Sequence, residues 1–207
     1  MDKNIMKNYN YNKIRKEIRK LVKEASYSKN NKFKDTVWLF HILPVVKHSL
    51  VLGRKLKADL EVLELAALLH DYAALVENGR LYNKHHLHGT KIAGEILGKF
   101  NYPETKIKHI KECIVSHRGS VKLNKKSIEA KILASADAMS HITELADMFF
   151  LTFGVHKYKT LEGAIWLKGK LNRSWDKIMP EGKKIVKEDY MIAIKIIKKA
   201  EKKRDVL

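Results

Sequence analysis

A largely apolar run that closes on two polar side chains, LEVLELAALLHD at residues 60–71, limits this chain more than any other stretch. Leu60, Leu63, Leu65, Ala67, Leu68 and Leu69 cover more than one face of a helix, so most of that helix has to be buried. A buried helix that ends in an imidazole and a carboxylate, His70 and Asp71, needs something that bonds both and neutralises the acid. A metal ion does both at once. The dipeptide alone is weak, because the chain holds 10 His among its 207 residues. With nine aspartates besides, chance supplies about 0.4 such pairs. Its company is stronger: His41 lies upstream, and His88, His117 and Asp137 lie downstream. Each sits on or at the edge of a helix-like segment, which makes residues 41–137 the candidate functional core.

The rest of the chain reads as helix as well. YNKIRKEIRKLVKEAS, residues 11–26, sets Ile14, Ile18, Leu21 and Val22 on one stripe. Pro44 cannot donate inside a helix and fits a first turn, which places His41 at a helix entrance. Asp59 is a natural cap for the run into His70, and ENGR at 77–80 is a turn signal. A helix is expected from about His86, another after Pro103, and another after Ser127 through Asp137. Two more are expected at about 160–178 and 180–203. No strand-period alternation survives, and 3 Pro with 10 Gly argue against a loop-rich β fold. The expectation is an all-α chain of about seven helices. It divides into a basic N-terminal helix and linker (1–34), a central domain (35–155) and a C-terminal helical extension (156–207).

Its net charge of +19 is carried by the ends. Residues 1–34 hold 11 Lys/Arg against 3 Asp/Glu, residues 156–207 hold 15 against 7, and the middle holds 16 against 13. Such flanks attract polyanions, RNA or DNA among them. Lysines scattered among Glu and Asn, with no aromatic-interleaved Arg platform, read more simply as solvated helix faces. The single cysteine, Cys113, excludes an intrachain disulfide framework and suits a reducing cytoplasm. MDKNIMKNYN has no signal-peptide core, and no stretch has the roughly 18 apolar residues of a membrane span. A cytoplasmic protein with no membrane partner is expected.

His48, His109, His141 and His156 read as capping or surface histidines, and His85 and His86 stay ambiguous because they flank His88 within one turn. Asp137, among small residues in ILASADAMSH, needs a cation or several donors. Four His and two Asp without a thiolate suit Mn, Fe, Zn, Ni or Co.

With these residues in place, the chain resembles the HD-domain superfamily of metal-dependent phosphohydrolases over about residues 36–150. AALLHD resembles its core motif, His41 with VVKHSL its first-His helix, and EAKILASADAMSH its last-Asp helix. LHGTKIAGEIL, from His88, and VSHRGS, with His117, resemble the extra histidines of dinuclear members. HDYAAL departs from the common HDIGK run, and no tyrosine-proline motif of cyclic-di-GMP phosphodiesterases is present. The resemblance implies an HD-like helical bundle with added terminal helices and one chemistry: hydrolysis of a phosphate ester or anhydride of a nucleotide or dinucleotide by metal-bound hydroxide. It implies metal ligation by His41, His70, Asp71, His88, His117 and Asp137, with two divalent ions bridged by Asp71. His70 and Asp71 carry the catalysis. Arg118 is a candidate phosphate clamp, with Lys91 and Arg80 as weaker ones. An RNA or DNA phosphodiesterase, and a metal-bound nucleic-acid-binding regulator with little turnover, are the alternatives.

Overall fold

In a computed structural model the chain is described over residues 9–29, 31, 33, 36–76, 80–81, 84–118 and 124–201, and every regular element among them is helical. Helix α1 (Tyr11–Ser26) is followed by a π-helical turn (Trp38–Ile42) that runs into α2 (Leu43–Leu56). Next come α3 (Leu60–Leu69), the one-turn α4 (Tyr72–Leu75), α5 (His85–Lys99) and α6 (Glu104–Ser116). The chain continues through α7 (Ile128–Thr143), α8 (Leu145–Phe149), a second π-helical turn (Phe150–Val155), α9 (Thr160–Lys177) and α10 (Pro180–Glu201). The expected caps at Asp35 and Gly119 lie outside the described residues, as does most of the 77–80 turn.

Local chemistry sets the ends. Asp59 accepts from the backbone N–H groups of Glu61 and Val62 and so caps α3. Ser127 accepts from the Ala130 N–H and caps α7. Asn101, at φ 53°, turns the chain between α5 and α6. No described helix is long and apolar enough to cross a membrane.

Helix α3 is the centre. Val62, Leu63 and the run from Leu65 to Leu69 are completely buried, and the helix packs against α1, α2, α6 and α7. Its Leu65 and Leu68 belong to an apolar cluster with α1, α5 and α6, whereas Leu63 joins a second cluster with α7, α9 and α10. A Cβ at Gly53 would stand 2.5 Å from Leu63 Cδ1, so α2 lies close enough to α3 that any side chain there would displace Leu63. Gly182 does the same for α10 against α7, where a Cβ would meet Met139 Sδ at 2.8 Å.

The terminal helices are part of this body. Ile14, Ile18 and Val22 of α1 are buried in the first cluster, and Tyr11 donates to Glu64 of α3 at 2.7 Å. That packing makes α1 part of the core: the stripe at 14, 18 and 22 has nowhere else to hide. Leu167, Leu171, Val186, Ala193 and Ile197 of α9 and α10 fill the second cluster.

Both ends should therefore support stability. Ile18→Ala is expected to cost about 2–5 kcal/mol, and removal of 1–34 to lower the urea midpoint clearly. A 35–207 fragment that unfolds at the wild-type midpoint would contradict this. Deleting 156–207 exposes the second cluster and should cause aggregation. A separate expectation concerns acid. His48 is buried in α2, with Nε2 3.3 Å from Thr143 Oγ1. Burial, helped by the Lys47 charge, pushes it down to about 4 from 6.5. The folded state thus favours the neutral ring. This contribution is fully present above pH 6.5 and is lost as pH falls towards 4. His48→Gln should flatten the stability profile across that window.

Candidate metal centre and its cavity

Five elements deliver polar side chains to one place. His41 comes from the π-helical turn before α2, His70 and Asp71 from the end of α3, and His85 from the first turn of α5. His117 follows the last turn of α6, and Asp137 and His141 lie one turn apart on α7, facing the same way.

Asp71 is the hub. Its Oδ2 lies 3.2 Å from His41 Nε2 and 3.5 Å from His70 Nε2. Its Oδ1 lies 3.2 Å from His85 Nε2 and 3.4 Å from His117 Nε2. Asp137 Oδ1 stands 3.7 Å from His41 Nε2 and 3.8 Å from His141 Nε2, while its Oδ2 is ion-paired with Lys177 of α9.

The backs of the rings decide what their fronts present. His70 Nδ1 faces the Ala67 carbonyl at 2.8 Å, and His117 Nδ1 faces the Ile114 carbonyl at 2.6 Å. A carbonyl only accepts, so both Nδ1 atoms carry protons. His41 Nδ1 lies 3.1 Å from Ser140 Oγ, whose own proton goes to the Asp137 carbonyl. That hydroxyl accepts, so His41 Nδ1 donates too. In the neutral rings the lone pairs of all three Nε2 atoms then face Asp71. His41 Nε2 and His70 Nε2 stand only 3.1 Å apart, and His85 Nε2 and His117 Nε2 only 3.3 Å.

Lone pairs aimed at each other and at a carboxylate repel unless a cation lies between them. Burial pushes His70 down to about 4, against the opposing pull of Asp71, so it is neutral at pH 7. His41 goes the other way: burial alone lowers it, but the Asp71 hydrogen bond and the charges of Asp71 and Asp137 raise it. Burial raises both carboxylic acids, yet the surrounding His and Lys groups hold Asp71 and Asp137 ionised, well below the ordinary range. Asp71 Oδ1 is buried and has no hydrogen-bond donor. A neutral imidazole at His70, an ionised carboxylate with an orphaned oxygen, and anchored rings are what a divalent ion needs. The residues fit such an ion on either side of Asp71.

Of the sequence-predicted ligands, the structure brings together His41, His70, Asp71, His117 and Asp137. It does not bring His88, and this is a correction. Helix α5 begins at His85, so its first residue meets Asp71 and His117, and His88 stands about 4.5 Å further along the axis. His141, read from sequence as capping or surface, joins the group with its Nδ1 held by Ser174 at 3.1 Å.

The cluster opens into a cavity of about 760 Å3. Phe33, Val37, Leu75, Phe150 and Leu151 form apolar wall, and Arg118, Lys125, Lys170, Arg173 and Lys177 bring five cations to its lining. Of the three candidate phosphate clamps, Arg118 lines this cavity. Lys91 and Arg80 do not: Lys91 is exposed on α5 beside Glu95, 4.0 Å away, and Arg80 is exposed in the turn before that helix. The cations of α9 were read as solvated charge, although their spacing, 170, 173 and 177, already put them on one helix face.

The sequence profile of the HD domain matches residues 38–142. Among solved structures, the Lin1889 protein of Listeria innocua is 25% identical, with TM-score 0.71 over 96% of this chain and 99% of its own. YpgQ of Bacillus subtilis, solved in complex with ADP, is 21% identical, with TM-score 0.71 over 93% and 96%. A predicted HD superfamily hydrolase from an uncultured Thermotogales bacterium is 20% identical, with TM-score 0.61 over 89% of each chain. Comparison with curated proteins gives no match.

His85→Ala should lower bound metal, measured by elemental analysis after dialysis against Mn. His88→Ala should leave it unchanged. Equal loss in both variants would restore His88 as a ligand, and no loss in either would remove α5 from the centre.

Proposed function

This chain belongs to the HD-domain family of metal-dependent hydrolases, and on that premise we propose that it is a phosphohydrolase cleaving a phosphate ester or anhydride of a nucleotide. The observation that carries the reading is Asp71. Its two oxygens each face a separate histidine pair, at the edge of a cavity that is cationic on one side and apolar on another. His41, His70 and Asp137 would hold one divalent ion together with Asp71 Oδ2, and His85 and His117 a second with Oδ1. Bound there, such ions lower the pKa of water and polarise a phosphoryl oxygen.

The chain's own groups supply the rest. Ala67, Ile114 and Ser140 keep the rings turned so that Nε2 faces the centre. Lys177 holds Asp137 Oδ2 and leaves Oδ1 directed at His41 and His141. Arg118, next in the chain to His117, lines the cavity and presents a planar fork to phosphoryl oxygens. Phe33, Phe150 and Leu151 offer a nucleobase an apolar surface. The ADP complex of YpgQ, a protein of the same fold, supports a nucleotide ligand. The α9 cations face this cavity, which favours a small substrate over a nucleic-acid polymer.

The test is a panel of nucleotides and short RNA, assayed with the metal-stripped protein before and after adding Mn, Co, Ni or Mg. Nucleotide hydrolysis is expected only with metal, and Arg118→Ala should lower kcat/KM by about 10- to 100-fold. Metal binding without hydrolysis of any nucleotide would sink the proposal, as would turnover confined to RNA.

A further inference from the structure

Helix α9 turns one face to the cavity. Lys170, Arg173 and Lys177 line it, along with Ser174. From 170 to 177 that face runs about 10 Å along the helix axis, the scale of several linked phosphates rather than one. Lys177 is engaged by Asp137, and Ser174 by His141. Lys170 and Arg173 have no such tie, and neither has Lys125, which also lines the cavity: among the described residues no carboxylate lies within ion-pair distance of any of the three.

The five cations of the lining outnumber its three carboxylates, Asp71, Asp137 and Asp147, so like charges repel there. Burial lowers the Lys170 pKa, partly offset by Asp137, and the positive charges of Lys177 and Arg173 lower it further. Lys125 is likewise lowered by burial and by Lys177. Folding gains nothing by collecting like charges here: Lys170 and Lys125 are half-buried and Arg173 is exposed at the rim. An anionic ligand of several charges would resolve the conflict. The reacting phosphoryl group occupies the metal side, beside Asp71 and Arg118, so these cations lie beyond it.

We infer that Lys170 and Arg173 of α9, with Lys125, form a second phosphate subsite that binds the phosphates beyond the reacting one, so that nucleoside di- and triphosphates are preferred over monophosphates. The inference rests on the phosphohydrolase reading, but the subsite can be tested apart from it.

Two measurements on the full-length protein do so. Calorimetry with inorganic tripolyphosphate, on metal-stripped protein, reads the subsite alone. The Lys170→Met/Arg173→Met variant, and Lys125→Met separately, should bind it at least about 10-fold more weakly. Lys91→Ala, on the exposed face of α5, should bind as wild type. With Mn, wild type should use ATP better than AMP in kcat/KM, and the double variant should lose about 10- to 100-fold of that ratio, mostly through KM. Weakened tripolyphosphate binding in a protein that hydrolyses no nucleotide would uphold the subsite and overturn the phosphohydrolase reading. Hydrolysis with an unchanged ratio and unchanged tripolyphosphate affinity would overturn the subsite alone. Should the double variant fail to fold by circular dichroism, Lys170→Gln and Lys125→Met decide the matter by the same two readouts.

Discussion

One carboxylate set between two pairs of imidazoles is the constraint on which the other features depend. Asp71 sits at the end of a helix buried on every side, where an uncompensated charge would be expensive. Its neighbours are rings whose outer nitrogens are already committed to Ala67, Ile114 and Ser140. The protein therefore fixes the orientation of three of the four rings around an anion, with Nε2 turned towards it. In a folded protein this arrangement suits divalent cations. The distribution of apolar residues follows from it: α3 must be held rigidly by α1, α2, α6 and α7, or the geometry at its end is lost.

Much of this was legible in the sequence, for identifiable reasons. The helix into His70 shows itself because apolar residues on all sides can only mean burial. Asp59 and Ser127 were readable as caps because short polar side chains before an apolar run have few other uses. His41 was placed by Pro44, which restricts where a regular helix can begin.

Other parts were not. His85, His86 and His88 lie within one turn, and the choice among them depends on where α5 starts relative to α6, which is a tertiary fact. His141 is one turn from Asp137 and so had to share its face, a signal present but outweighed by the ordinariness of a histidine near a helix end. The α9 cations were hidden differently. Lys170, Arg173 and Lys177 stand beside Leu167 and Leu171, which are buried, but no local pattern tells whether a charged face next to a buried stripe looks at water or into a cavity. The C-terminal segment was therefore legible as a helical extension packed on the core, but not as a wall of the cavity.

That wall has a consequence for how the protein comes into being. The side chains around the cavity run from Phe33 to Lys177 in the sequence, and the contacts of Asp137 and His141 with α9 close loops of tens of residues. Chains emerge from the ribosome N-terminus first. While residues 41–141 are already outside, Asp137 still lacks Lys177 and His141 still lacks Ser174. A nascent chain can thus gather imidazoles and carboxylates well before it has the groups that orient two of them. The interval between those events is set by translation speed and by slow long-range closure, and during it the half-built centre is open to whichever metal ion the cell offers first.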